Sequence, residues 1–243
     1  MRRFVDLHCH FVPGIDDGAR STSEARRLLE GLGRLGFEMV VATPHMRPGL
    51  FDNDAAALKA AYEALQSALT PADALPRIAL SSEHYFDDVV FSRILAGQAL
   101  PYPGGRAILL EFYESEFPFT IDQRLADLTR RQLTPVIAHP ERYRPISKDP
   151  EILERLIDVG AEALLDLAAL SGKYGRRARK TAEALLERGL YVAACSDAHR
   201  PEDIAEVAHG IEWISKRYGD ELVFVLLDEG PRSLLVGPPS EVR

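Results

Sequence analysis

The stretch VDLHCH at residues 5–10 is an apolar run that ends in two histidines, and the same pattern recurs along the chain. VVATPH at 40–45 ends in His45, ALSSEH at 79–84 in Glu83 and His84, and ILLEF at 108–112 carries Glu111. PVIAHPER at 135–142 offers His139, and AACSDAH at 193–199 offers Asp197 and His199. Five of the seven histidines hold such positions, with a carboxylate on the same or a neighbouring run; His84 and His209 fall outside the pattern. If the apolar runs are parallel strands, their C-terminal ends converge and these side chains surround one point. The pattern predicts a multi-metal hydrolytic centre there.

Working outward, strand-length apolar runs fall at 4–9, 39–43, 77–81, 107–112, 134–138, 163–167 and 190–195. Between the first two, STSEARRLLEGLGRLG opens with a capping box, Ser21 to Glu24, and places Ala25, Leu28, Leu29, Leu32 and Leu35 on one helical face. Further helical patterns follow at about 52–69, 87–96, 121–132, 150–159, 175–188 and 202–217, with Thr120 and Gln123 repeating the capping-box spacing. Asp52-Asn53-Asp54 reads as a cap for the second helix. Strands alternating with helices imply an α/β fold with a parallel sheet. Ligand-type residues on six or seven strand ends favour closure into a barrel over an open doubly wound sheet, which collects ligands at one switch point. The tail after 217 reads as a short packing segment ending in loop.

A length of 243 residues suits one barrel domain of about 250 residues, and no composition break divides the chain. The formal charge of −8 argues against a nucleic-acid partner, which normally meets a basic face. MRRFVDLHCH turns polar too soon for a secretory signal, and no run approaches the roughly 18 apolar residues of a membrane span. Cys9 and Cys195 make no disulfide framework, so a reducing cytoplasm is expected.

In an extended strand His8 and His10 face one side and Cys9 the other. Asp6 is a candidate acceptor that would fix a histidine tautomer. Asp16 and Asp17 also read as turn residues before Gly18. Glu83 and Glu111 each end an apolar strand, where an unpaired charge is costly, so each needs a salt bridge or a metal. Imidazole and carboxylate without thiolate suit manganese, iron or zinc rather than a structural zinc finger. Such ions lower the pKa of bound water toward neutrality and offset charge on a phosphoryl group. A cysteine-nucleophile phosphatase needs an arginine six positions after the cysteine; Cys195 has Pro201 there, with Arg200 one position early, and Cys9 has Ile15. No GxxxxGK[ST] loop is present.

DLHCH, ATPH, SSEH, LLEF, AHPERY and CSDAH, in that order, resemble the PHP (polymerase and histidinol phosphatase) superfamily of metal phosphoesterases. DLHCHFVPGIDDGARS with IAHPERY is similar, more narrowly, to the bacterial metal-dependent protein-tyrosine phosphatases encoded with capsule and exopolysaccharide genes. The likeness runs from Val5 to about Leu235. It implies a distorted (β/α)7 TIM-like barrel, a single domain over 1–243, and a site for three divalent ions, manganese first, with iron or zinc as alternatives. The first ion would take His8, His10, Glu83 and Asp197. The second would take Glu83, Glu111 and His139, and the third Asp17, His45 and His199; Asp16 is not carried over. Arg142 would hold substrate phosphate, with Glu111 and His139 beside it in the catalytic set. Four carboxylates against three divalent ions leave a formal charge of about +2, enough to attract a phosphate dianion.

This chain departs from the family's pattern at His84, where an aliphatic residue is usual; an exposed histidine is expected, with a group behind the ligands or one facing the substrate as the alternatives. It departs again at Ile204, which occupies the place of a second phosphate-binding arginine; Arg200 and Arg47 are the candidate replacements. The implied substrate is phosphotyrosine on a protein, with a tyrosine autokinase of polysaccharide synthesis or export as partner and no membrane insertion. The rivals are a histidinol-phosphatase-like small-molecule phosphatase and a catalytically silent metal-binding regulator.

Overall fold

The computed structural model describes residues 3–69 and 75–235. Among the described residues nine strand segments, all paired in parallel, are β1 (Phe4–Cys9), β2 (Phe37–Ala42), β3 (His45–Met46), β4 (Arg77–Leu80), β5 (Glu83–Tyr85), β6 (Ala107–Glu111), β7 (Thr134–Ala138), β8 (Glu162–Asp166) and β9 (Ala193–Cys195). They form two sheets, β1-β2-β4 and β3-β5-β6-β7-β8-β9. The division falls at Thr43-Pro44 and Ser81-Ser82, where two expected strands pause and resume. Pro44 has no N–H to give a ladder. Across the pause Ser81 N still donates to Ala42 O at 2.8 Å, and Ser82 Oγ to Pro44 O at 2.8 Å. At the other margin, Asp197 N donates to His8 O and His10 N to Ala198 O, both at 2.9 Å, joining the end of β1 to the segment after β9.

Most of the strands are buried on both faces, as parallel strands covered by helices are, while β4 is only half-buried. Val5, Leu7, Val41, Leu109, Val136, Ala138, Leu164, Ala193 and Cys195 pack in one inner cluster. Their neighbours Val40, Ala42, Ile108, Leu110, Ile137, Ala163 and Leu165 pack outward with the helices. This period of two decides which terminal residue faces the centre. His45, Glu83 and Glu111 continue the inner parity of Val41, Ala79 and Leu109.

β1 needs a correction to that parity, and the chain supplies one. Its pairing register with β2 shifts between Asp6 and Cys9. After Leu7 the faces exchange, so Cys9 joins the outer cluster and His8 and His10 turn inward. Such bulges re-aim side chains beside active sites. Asp6 holds this one, its Oδ1 accepting from His8 N at 3.2 Å and Ser196 N at 3.0 Å. Asp6 therefore braces backbone and does not fix a histidine tautomer.

The helices are α1 (Thr22–Leu35), α2 (Ala55–Ala68), α3 (Asp88–Leu95), α4 (Ile121–Arg130), α5 (Arg144–Lys148), α6 (Glu151–Asp158), α7 (Leu167–Ser171), α8 (Gly175–Glu187), α9 (Ile204–Tyr218), α10 (Asp220–Phe224) and α11 (Gly230–Leu235). Ser21 caps α1, accepting from Glu24 N at 3.2 Å, while the Glu24 carboxylate turns to Arg20 N at 2.9 Å. Asp54 caps α2 through Ala57 N at 2.8 Å. Thr120 makes no side-chain cap: its ψ of 10° is not the extended backbone a capping hydroxyl needs. The expected strand at 190–195 shortens to Ala193–Cys195.

The expected packing segment after 217 is helical as far as Leu235, and the loop expected to end it lies outside the described residues. α10 runs through a π-helical segment, Val225–Glu229, into α11 and buries Val223, Leu226, Leu227 and Leu234. Pro231 sits in the first turn of α11, a position that suits proline. At Gly230 a Cβ would lie 1.8 Å from Val192 O, so glycine lets this helix press on the approach to β9. Among the described residues no helix is long and apolar enough to cross a membrane.

Candidate metal centre

All nine side chains singled out as ligands come together, most of them at or just after the C-terminal ends of strands, with His45 and Glu83 opening β3 and β5 directly after β2 and β4. The Nε2 atoms of His8 and His10 stand 3.0 Å apart. Asp197 Oδ1 lies 3.2 and 3.5 Å from them, and Glu83 Oε2 lies 3.3 and 3.4 Å away. The other Glu83 oxygen is 3.0 Å from His139 Nε2. His45 Nδ1 lies 3.0 Å from Glu83 Oε2 and 3.8 Å from Glu111 Oε2. Toward solvent, Asp17 Oδ1 is 3.4 Å from His45 Nε2 and 3.5 Å from His199 Nε2, and the His199 ring stacks on His10 at 4.1 Å. Ligand atoms come within 4.8 Å in four overlapping groups: His8/His10/Asp197, His8/Glu83/His139, His45/Glu83/Glu111 and His10/Asp17/His45/His199.

These residues fit divalent ions. Two nitrogens each about 2.0–2.1 Å from one ion sit about 3 Å apart, the separation found between His8 and His10. Glu83 Oε2 and Glu111 Oε2 are buried and accept no hydrogen bond among the described residues. A carboxylate oxygen in that state is costly unless a cation faces it. His139 and Asp197 adopt positive φ, 35° and 44°, an uncommon conformation for side-chain-bearing residues that concentrates at functional sites.

The electrostatics agree. Burial pushes the Glu83 carboxyl up, but His8 and His45 outweigh it and hold it well below the usual range. Burial also opposes charge on His8, yet Glu83 and Asp197 raise it. His45, resisting burial through Glu83 and Asp17, is pushed up to about 10. Glu111, buried and beside Glu83, rises to about 7. His139, buried and near Arg142, falls to about 4. Without ions, His8, His10 and His45 are drawn to take up protons beside these acids; the centre calls for positive charge.

Asp16 is the residue the sequence reading undervalued. Its Oδ2 accepts from His10 Nδ1 at 2.8 Å and His45 N at 3.1 Å, and its Oδ1 from Gly18 N at 2.9 Å. A ligating histidine needs a partner for its second ring nitrogen, and an aspartate six residues on was the available signal. The turn needs Gly18, because a Cβ there would lie 2.0 Å from His10 O. His84 is not exposed. It is wholly buried on the outer parity, with Nδ1 donating to Leu109 O at 2.9 Å and Nε2 accepting from Leu100 N at 3.2 Å.

A cavity of about 640 Å³ opens over the centre. Arg142 lines it, donating to Asp197 Oδ2 at 2.8 Å with its guanidinium 4.7 Å from the Tyr174 ring. Arg47 lines it too, 4.0 Å over Tyr85 and 3.8 Å from Glu111. Arg200 is exposed and outside the lining, with its N–H given to Asp203. Arg144, which sequence reading did not select, is in the lining.

The family described as "Capsular polysaccharide synthesis, CpsB/CapC" matches residues 4–236. The tyrosine-protein phosphatase YwqE of Bacillus subtilis is 28% identical over 98% of this chain and 96% of its own length. The tyrosine-protein phosphatase CpsB of Streptococcus pneumoniae is 27% identical over 96% and 98%. A crystal structure from work on these two, described as unique metal-dependent tyrosine phosphatases, superposes with a TM-score of 0.86 at 30% identity, covering 95% of this chain and 94% of that one. The organophosphorus hydrolase of Deinococcus radiodurans gives 0.56 at 15% identity, a likeness of fold alone.

Proposed function

Because this chain belongs to the CpsB/CapC capsular polysaccharide synthesis family, we propose that it is a metal-dependent phosphatase that hydrolyses phosphotyrosine on a protein. Its substrate is a tyrosine kinase of polysaccharide synthesis or export, met in the cytoplasm, and residues 1–243 act as one domain. The seven strand runs are read as a distorted (β/α)7 barrel; the hydrogen bonds between β1 and the segment after β9 support that reading. One observation carries the chemistry: Glu83 Oε2, buried and accepting no hydrogen bond among the described residues, has three imidazole nitrogens within 3.4 Å.

In this proposal His8, His10, Glu83 and Asp197 hold a first ion, Glu83, Glu111 and His139 a second, and Asp17, His45 and His199 a third. Manganese is preferred, with iron or zinc as alternatives. When bound, such ions supply an acidified water for attack and offset charge on the phosphoryl oxygens. The chain's own groups do the rest. Asp16 orients His10, Asp197 holds Arg142 at the cavity wall, and the Arg142 fork takes phosphate oxygens. The tyrosyl oxygen, with a pKa near about 10, leaves with less proton assistance than an alkoxide needs.

The test is metal content and turnover of a phosphotyrosine peptide and of histidinol phosphate, for wild type and His139→Ala. The variant is expected to lose bound metal and most peptide activity. Rapid turnover of histidinol phosphate with none of the peptide overturns the substrate. Bound metal with no hydrolysis at all leaves a silent regulator.

A further inference from the structure

Two of the largest exposed apolar side chains among the described residues sit at the mouth of a cavity whose floor is charged. Leu50 is 60% and Tyr113 57% exposed, and both line the cavity above the centre together with half-buried Phe51. Exposed apolar groups scattered singly need no explanation, but a cluster at a binding cavity marks what the cavity takes. The loop carrying Leu50 and Phe51 is tied to the floor. Phe51 N donates to Arg47 O at 2.8 Å, and Asn53 Nδ2 donates to His45 O and Ile15 O, each at 2.9 Å. The Phe51 ring lies parallel to His45, 5.2 Å away with 3° between planes. Arg47 covers the Tyr85 ring, and beside buried Phe112 the rest of the apolar lining is Leu50, Phe51 and Tyr113.

We propose that Leu50, Phe51 and Tyr113 form an apolar clasp for the ring of an aryl phosphate ester, and so set its preference over alkyl phosphates. The proposal rests on the phosphatase reading and names the groups that select its substrate. A phosphate drawn to the floor directs its ester group to the mouth. A phenyl ring there covers apolar surface that water otherwise contacts, whereas a hydroxylated alkyl chain does not. Phe51 also supports His45, so Leu50 and Tyr113, exposed and separable from the floor, are the positions to vary.

The test uses manganese-loaded wild type, Leu50→Ala, Tyr113→Ala and, as a control outside the cavity lining, Phe224→Ala. Calorimetry gives Kd for phenylphosphonate and methylphosphonate, and kinetics give kcat/KM for a phosphotyrosine peptide and glycerol phosphate. Leu50→Ala and Tyr113→Ala are each expected to weaken phenylphosphonate about tenfold and to lower the aryl-to-alkyl kcat/KM ratio by a similar factor, mainly through KM. Phe224→Ala is expected to change neither. Equal effects on both phosphonates, or none, overturn the clasp while the enzyme still turns over phosphotyrosine. A wild type that hydrolyses no phosphate ester overturns the phosphatase reading and the clasp with it.

Discussion

Asp16 Oδ2 accepts a hydrogen bond from His10 Nδ1 at 2.8 Å, which leaves His10 Nε2 free to face Glu83 and Asp197. The carboxylate fixes the ring's tautomer and raises its basicity, as outer carboxylates do for metal-binding histidines. Asp16→Asn keeps the shape and removes the charge. Manganese affinity, measured by titration of the metal-free protein, is expected to fall about 10–100-fold with the fold intact. An unchanged affinity would mean the ring is held by its packing alone.

Glu83 is the carboxylate shared by most of the contacts at the centre, touching His8, His10, His45 and His139 within 3.4 Å. Glu83→Gln retains its volume while removing the charge that balances those imidazoles. Elemental analysis is expected to find fewer bound ions per chain, and peptide turnover to fall more than about 100-fold. Full metal content in the variant would show that the carboxylate is not a ligand.

Apart from Asp17, which only the family resemblance picked out, the ligand-type residues were legible because they close apolar runs, and period-two alternation then carries His45, Glu83 and Glu111 to the inner face. The same rule, applied to position 84, places His84 outside; a motif comparison alone left it at the surface. What sequence did not disclose are backbone events. The register shift in β1 turns His8 inward, and Asp6 stabilises it by hydrogen bonds to two backbone N–H groups, one of them 190 residues away. Thr120 had the right neighbours for a cap but not the right ψ. Nor did sequence show why residue 230 is glycine, because its packing partner, Val192 O, lies on a distant segment.

Arg142 is held by one good ion pair, Nη1 donating to Asp197 Oδ2 at 2.8 Å. Arg142→Lys keeps a positive charge but loses the planar fork that can hold Asp197 and a phosphate together. The expected result is a 10–100-fold loss in kcat/KM on phosphotyrosine peptide, the size of one charge-assisted hydrogen bond (about 1.5–3 kcal/mol). Manganese content should stay near wild type. Activity within about twofold of wild type would remove Arg142 from the phosphate site.

Gly18 admits no side chain, since a Cβ would meet His10 O at 2.0 Å and that neighbour is backbone. No rotamer change relieves such a contact, so Gly18→Ala must move the His10 segment. A thermal melt is expected to show Tm lowered by about 5 °C or more, with weakened manganese binding. A wild-type Tm would show that the turn yields freely.

Glu141 is wholly buried, its Oε1 accepting from Asp166 N at 3.0 Å and its Oε2 from the Tyr191 hydroxyl at 2.9 Å. Burial first, and the Asp166 charge second, push its carboxyl up from 4.5 to about 8. The folded chain therefore keeps a proton that the unfolded chain releases above about 4.5. Between those values the unfolded state binds fewer protons, so stability falls as pH rises. The contribution is whole below about 4.5 and gone above about 8, and is on the order of a few kcal/mol. Glutamine cannot titrate and imitates the protonated acid. With chelator present to keep metal release out of the comparison, the urea midpoint of wild type should drop more between pH 5 and pH 8 than that of Glu141→Gln. Parallel pH slopes in the two proteins would show that this acid titrates as if solvated, and that burial between Asp166 and Tyr191 does not hold its proton.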